Sequence, residues 1–288
     1  MRTLIFGIAV LLSACGDPDP EVGDDVDSGA GEPDGPAAVD GAVAQGDAGP
    51  VATGGCGKAG ARGMQERTPM VSGVTRHYQL FVPSGYDAEV PMQLVFVFHG
   101  LGGDGDQIRA YFGFEAEAQG QALFAYPDGL PVQGGTGWST TDVAFFDAMV
   151  DEISADYCVD ASRVFATGHS YGGYMSNLLG CARPDVLRGI APASGGLLTG
   201  NCGGPVAAWL VHGDADGTVP QSEGLAARDH WRTVNGCLAT STATGVGDCV
   251  RYDGCSDGHP VEWCSFSGGH YPLPGYTQQA IWDFFQGL

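Results

Sequence analysis

Residues 94 to 98 read LVFVF, five large apolar side chains in a row with none left to face water. Successive side chains of a strand point to opposite faces of its sheet, so this run is stable only where both faces are covered. A parallel sheet between layers of helices meets that condition. Further apolar, β-branched runs predict strands at His77 to Val82, Leu94 to Phe98, Ala122 to Tyr126, Val164 to Thr167, Gly189 to Pro192, Val206 to Val211 and Val261 to Phe266. Helical patterns lie between them. In the clearest, Asp142 to Asp156, the residues Val143, Phe146, Met149, Val150 and Ile153 recur at three- and four-residue spacing behind Asp142 as N-cap. Others run from Tyr171 to Cys181, from Ser222 to Val234 and from Thr277 to the C-terminus. The order implies an α/β domain with a doubly wound, mainly parallel sheet and helices on both faces. In such sheets the active residues sit on loops at the carboxyl ends of strands.

The N-terminus speaks to compartment. Arg2, the nine residues Leu4 to Leu12 and then Leu12-Ser13-Ala14-Cys15 have the pattern of an export signal. Nine apolar residues are too few to cross a bilayer as a helix. LSAC is similar to the lipobox of bacterial lipoproteins, which implies a lipid anchor at Cys15, the one membrane attachment expected, on the bacterial envelope or surface. The other reading is a plain secretory signal. Residues 16–55 hold ten Asp or Glu and no Lys or Arg, with few large apolar residues, and read as a disordered acidic linker. Residues 56–288 have the length of one domain with an ample core. The net charge is −22; with the linker's ten acids and Arg2 set aside, 24 acids still face 11 bases. That balance argues against nucleic acid and against electrostatic docking on anionic lipid.

Apart from Cys15 there are eight cysteines, at 56, 158, 181, 202, 237, 249, 255 and 264. An even count in an exported chain reads as four disulfides, with about 105 possible connectivities. No pair has CxxC spacing, so zinc is not expected.

The pattern GxSxG occurs twice, at Gly168 to Gly172 (GHSYG) and at Gly254 to Gly258 (GCSDG). With 48 Gly in 288 residues, chance matches are expected and context must separate them. GHSYG follows the strand RVFAT and opens the helical run YMSNLLGC, so Ser170 falls on a strand-to-helix turn. There Gly168 and Gly172 remove side chains from a crowded corner, and Gly173 allows close approach. The helix N-terminus behind Ser170 offers free N–H groups to an oxyanion. GCSDG lies in a Gly- and Asp-rich stretch between Tyr252 and His259, and Ser256 reads as a surface turn.

A nucleophilic serine needs a base, and the base needs an orienting carboxylate. HGDAD, after the strand VAAWLV, offers Asp214 and Asp216; SGGH, after VEWCSF, offers His270. The remaining histidines, His77, His99, His169, His212, His230 and His259, read as structural. After LVFVF comes His99-Gly100-Leu101-Gly102-Gly103. The Leu101 amide there and the Tyr171 amide are the expected oxyanion donors; alternatively the glycines only make a tight turn capped by His99. As a phosphate loop, GLGGDG is disfavoured by its two aspartates and lack of a lysine.

The segments RHYQLFVPSGYD, LVFVFHGLGG, GWSTTDVAFFDAMVDEI, YCVDASRVFATGHSYGGYMSN, RGIAPASGG, HGDADGTVP and SGGHYPLP together resemble the α/β-hydrolase fold. More narrowly, they resemble secreted esterases that include feruloyl esterases, acetylxylan esterases and polyhydroxybutyrate depolymerases. GCGK at Cys56 and DAMVDEI before YCVD are most similar to feruloyl esterases. The resemblance covers most of residues 56–288 and implies a serine esterase with Ser170 as nucleophile, Asp216 of HGxxD as acid, His270 of GGH as base, an acyl-enzyme, and no cofactor or metal. It further implies disulfides Cys56–Cys158, Cys181–Cys202 and Cys237–Cys255, which leaves Cys249–Cys264. The implied partner is a small-molecule or polysaccharide-linked ester, foremost a hydroxycinnamoyl ester of plant cell wall, with hydroxybutyrate polyester and acetylxylan or short-chain acyl esters as alternatives. A binding lipoprotein on a dead hydrolase scaffold is the alternative from another class, and it has no need of Ser170, Asp216 and His270 in order. Trp138 of GTGWSTT is a candidate to stack on a phenolic or sugar ring, or else packs its loop. Tyr111 and Phe112 are similar candidates.

Overall fold

The computed structural model describes residues 51–288. The expected export signal, the anchor at Cys15 and the linker as far as residue 50 lie outside the described residues. The chain opens with β1 (Gly63–Arg67), a small hairpin of β2 (Met70–Val71) and β3 (Val74–Thr75), then β4 (Tyr78–Val82) and β5 (Met92–Phe98). Helices α1 (Gly105–Phe112) and α2 (Phe114–Ala118) lead to β6 (Ala122–Pro127). A second hairpin, β7 (Leu130–Val132) with β8 (Gly135–Gly137), leads to α3 (Val143–Asp156). There follow β9 (Val159–His169), α4 (Tyr171–Ala182), β10 (Gly189–Ala193), β11 (Ala207–Gly213) and α5 (Gln221–Val234). The last elements are β12 (Ser241–Ala243), β13 (Cys249–Tyr252), β14 (Val261–Phe266) and α6 (Thr277–Gln286).

Ten strands form one sheet in the order β1-β4-β6-β5-β9-β10-β11-β14-β13-β12. The six strands from β6 to β14 pair in parallel, and antiparallel pairs close both edges. The LVFVF run divides between two cores. Leu94, Phe96 and Phe98 pack with Met149 of α3, Leu179 of α4 and Trp231 of α5. Val95 and Val97 pack with Ile108 of α1, Phe114 of α2 and Trp282 and Phe285 of α6. Each face of the sheet thus carries three helices, the architecture that an uninterrupted apolar strand demands.

The seven expected strands and four expected helices are present with ends shifted by a few residues; β9 is the longest extension, starting at Val159. Helices α1 and α2 were hidden by the turn-like LGGDGD. Asp104 converts that turn into a helix start, its carboxylate accepting the Gln107 N–H at 2.8 Å, and Gly113 at φ 61° ends the helix. The edge strands β1, β12 and β13 are short and partly polar, and pairing with a neighbour supplies the order that their own pattern lacks.

Two expectations are corrected. Asp142 stands at the N-cap position of α3, but its carboxylate makes no cap hydrogen bond to that helix: it is buried, with Oδ1 accepting from Arg76 Nη1 at 2.6 Å and Oδ2 accepting the Ser139 N–H at 2.7 Å. Residues 51–55, placed in the linker by composition, join the folded domain, where the Thr53 N–H donates to Val159 O at 3.1 Å and the Val51 N–H to the Asp160 carboxylate at 3.0 Å. Backbone pairing to β9 orders a segment whose side chains bury little. The eight cysteines form Cys56–Cys158, Cys181–Cys202, Cys237–Cys255 and Cys249–Cys264.

The Arg76–Asp142 pair joins the start of β4 to the start of α3, and the Arg76 guanidinium also lies 3.9 Å over the Phe145 ring. Removing one partner leaves the other charge buried and unpaired. Arg76→Met is expected to lower the unfolding free energy by about 3–5 kcal/mol, measured by guanidinium denaturation with the disulfides intact; a loss under about 1 kcal/mol would show that the pair contributes little.

Candidate active site

Strand β9 ends at His169 and α4 begins at Tyr171, so one residue, Ser170, makes the whole turn. It does so at φ 58° and ψ −119°, a backbone region that L-residues seldom adopt. The corner is too crowded for side chains. A Cβ on Gly172 would overlap the Phe98 carbonyl, and one on Gly168 would lie 2.5 Å from the same oxygen. The turn is pinned from below, as the Ser170 N–H donates to Ala193 O of β10 at 2.9 Å.

Beside it, the loop that follows β5 brings Gly100 against the serine: a Cβ there would be 3.3 Å from Ser170 Cβ. Among the described residues, neither the Leu101 nor the Tyr171 N–H has a hydrogen-bond partner. The Leu101 loop is held by the β7–β8 hairpin. The Gly102 N–H donates to Thr136 O at 2.8 Å, Thr136 Oγ1 donates to Gly103 O at 2.6 Å, and Trp138 Nε1 donates to His99 O at 2.8 Å. His99 Nδ1 donates to Gly100 O at 2.7 Å and Nε2 accepts the Gly129 N–H at 2.8 Å. This pattern fits the neutral ring, and burial pushes the His99 pKa down.

The structure brings His270 to Asp216 and not to Asp214. His270 Nδ1 donates to Asp216 Oδ2 at 2.7 Å, while the exposed Asp214 accepts the Gly268 N–H at 3.1 Å. Gly213 makes the meeting of the two loops possible, since a Cβ there would strike the Gly268 and Gly269 carbonyls. The Asp216 side chain is fully buried, and burial by itself raises a carboxyl pKa. The hydrogen bond from His270 and those from the Val219 and Thr218 N–H groups, each 2.9 Å to Oδ1, outweigh that effect and hold the pKa below the ordinary value. With the folded pKa depressed, Asp216 stabilises the fold above the ordinary carboxylate range and loses that contribution as pH falls through its folded pKa.

Two histidines read as structural also belong to this corner. His212 is buried with Nε2 2.9 Å from Val219 O and 3.3 Å from Asp216 Oδ2. His169, also buried, donates from Nε2 to the backbone carbonyl of His270 at 3.0 Å, tying the residue before Ser170 to the loop that carries His270. Burial, with the neighbouring His270, pushes its pKa down to about 3, so it stays neutral at working pH. The sequence signal for both was position: each lies at the carboxyl end of a strand, His169 in β9 and His212 in β11.

The aromatic candidates divide. Trp138 is wholly buried on Phe98 and His99, so it supports the Leu101 loop instead of meeting a substrate. Phe112 is likewise buried, stacked on Phe114. Tyr111, about 100° around α1 from Phe112, does face the cleft; its hydroxyl accepts the Leu273 N–H at 3.2 Å. With Gly100 to Gly103, Gln107, Ile108 and Tyr271 it walls a cleft of about 260 Å³ beside the serine. Ser256 lies in a turn after β13, away from this cleft. Among the described residues, the grouping with metal-ligand spacing is Cys181, Cys202 and His230, whose two sulfurs are joined to each other.

A model of the prolyl oligopeptidase family matches residues 133–197. Feruloyl esterase C of Emericella nidulans is 40% identical over 231 residues, covering 73% of this chain and 83% of that protein. The chain belongs to the feruloyl esterase family. Feruloyl esterase D of Neurospora crassa is 33% identical over 261 residues, covering 80% of this chain and 89% of its own. Among solved structures, an acetyl xylan esterase from Aspergillus awamori superposes with a TM-score of 0.65 at 16% identity, over 78% of this chain and 99% of that one. A ferulic acid esterase from Anaeromyces mucronatus in complex with ferulic acid gives 0.57 at 13% identity, over 79% and 90%. The fold is that of the α/β-hydrolases, and this esterase is a carboxylic ester hydrolase.

His169→Phe keeps a ring of similar size but removes the donor to the His270 carbonyl. A misplaced catalytic group costs up to about 100-fold. We expect kcat on a small aryl acetate to fall about 10- to 100-fold at unchanged KM, with His169→Gln, which retains an N–H donor, recovering most of it. A kcat for the Phe variant within twofold of wild type would assign His169 to packing alone.

Proposed function

We propose that this esterase hydrolyses feruloyl (hydroxycinnamoyl) esters of plant cell-wall polysaccharide through Ser170, His270 and Asp216. The observation that carries the reading is the His270–Asp216 hydrogen bond at 2.7 Å on the loops beside the Ser170 turn. The carboxylate fixes Nδ1–H and so leaves Nε2 as the ring's basic nitrogen. His270 Nε2 takes the Ser170 hydroxyl proton as Oγ attacks the ester carbonyl carbon. The carbonyl oxygen becomes an oxyanion between the Leu101 and Tyr171 N–H groups, whose lack of other partners suits that role. Collapse expels the alcohol, which receives the proton from His270. Water then repeats the sequence on the Ser170 acyl-enzyme and frees the acid.

The acyl assignment rests on the feruloyl esterase relatives and on a cleft with Tyr111 and Tyr271 in its wall, where a flat phenolic ring meets aromatic edges. Four disulfides suit an oxidising compartment outside the cytoplasm. With the signal-like residues 1–15 and the acidic residues 16–50, they support export on a tether, anchored by lipid at Cys15.

Ser170→Ala is expected to cut kcat on methyl ferulate by more than about 10⁴-fold and to abolish labelling by a fluorophosphonate; turnover within tenfold of wild type would overturn the assignment. Cys15→Ser is expected to move the esterase activity of a bacterial host from the membrane fraction to the soluble fraction. An unchanged distribution would discard the anchor.

A further inference from the structure

An ester has two halves, and the cleft beside α1 accounts for one of them. A second groove, of about 590 Å³, shares Tyr271 with that cleft. Its place follows from topology. β13 runs antiparallel to β14 with Cys249 opposite Cys264, so the loop before β13, with Gly247 and Asp248, reaches the same end of the sheet as the segment that leaves Phe266 and carries His270. The groove opens between these two segments. Its wall is made by Tyr271, Pro272, Pro274 and Tyr276, by Asp248 and by residues 267–269.

We infer that this groove binds the glycosyl part of the alcohol half of the ester, with Tyr271 dividing it from the acyl cleft. The inference rests on the proposed Ser170–His270 chemistry. In that chemistry His270 delivers its proton to the alcohol oxygen, so the alcohol departs on the His270 side. The wall from Tyr271 to Tyr276 is the chain that continues directly from His270, whereas the α1 cleft is walled by the Leu101 loop. Tyr271 lines both cavities and is 57% exposed between them. The chemistry of the wall fits a sugar: rings and prolines to meet its C–H faces, with the exposed Asp248 and Ser267 side chains to pair with its hydroxyls. Asp248 is the one charged side chain among the described residues of the wall, which favours a neutral pentose or hexose over a uronate.

The test compares two substrates that share the acyl group. For wild type, Asp248→Ala and Tyr276→Leu, kcat/KM is measured on methyl ferulate and on a feruloylated arabinose oligosaccharide, with thermal melts confirming that the variants fold. Asp248 is exposed on its loop, so its replacement leaves the core untouched. The ratio of oligosaccharide to methyl ester kcat/KM is expected to fall about tenfold in each variant, chiefly through KM, as for a contact made equally in ground and transition states. A ratio within twofold of wild type in both variants, with methyl ferulate still hydrolysed, overturns the groove and leaves the Ser170 reading standing. A wild-type protein that hydrolyses an aryl acetate but neither feruloyl ester overturns the groove together with the feruloyl reading.

Discussion

The backbone at Ser170 is the constraint around which the rest of the domain is arranged. A non-glycine residue with positive φ outside the usual left-handed well costs of order 1–3 kcal/mol and persists only where its surroundings over-determine it. Here they do. The Ser170 N–H is held by Ala193 of β10, its carbonyl accepts from the Gly173 and Tyr174 N–H groups at 2.9 and 3.1 Å, and the Phe98 carbonyl fills the space where Gly168 or Gly172 would carry a side chain. The central strands β5, β9 and β10 therefore act as a rigid jig, and a buried parallel sheet is what makes them rigid. The apolar run LVFVF and the strained serine are two ends of one requirement.

Around that jig, polar groups are placed so that each fixes the next. Asp216 is held by two backbone N–H groups of its own loop and fixes the His270 ring, while His169 fixes the His270 carbonyl. On the other side, the β7–β8 hairpin, Trp138 and His99 fix the Leu101 loop. Their common effect is to hold the Leu101 loop, the Ser170 turn and the His270 ring in a fixed relation by packing and hydrogen bonds.

Much of this was legible in the sequence, because the strands are short, apolar and separated by helical periods, and because Ser170, Asp216 and His270 each follow a strand. What was not legible depended on direction. Trp138, Tyr111 and Phe112 were equivalent as aromatic residues near the carboxyl ends of the strands, and only the α1 helix, itself disguised by LGGDGD, shows that Tyr111 faces the cleft and Phe112 the core. Asp142 looked like a cap because it opened an apolar period, whereas its partner Arg76 lies 66 residues away, beyond any local pattern. His169 and His212 were passed over for the same reason, since their partners come from distant loops.

The edge strands show why the far end of the sheet also matters to the candidate site. β14 delivers His270 and is the last parallel strand, so without β13 it would be an exposed edge with unpaired backbone groups. β13 supplies that pairing, and the Cys249–Cys264 disulfide links the two strands directly across the ladder, two residues before β14 ends. In the chain-entropy account a loop of this length contributes about 3 kcal/mol. Where that contribution falls is more informative than its size: it resists fraying in the strand on which the position of His270 depends, opposite the jig that holds Ser170. A domain whose sheet stopped at β14 would carry Ser170, Asp216 and His270 on a looser frame.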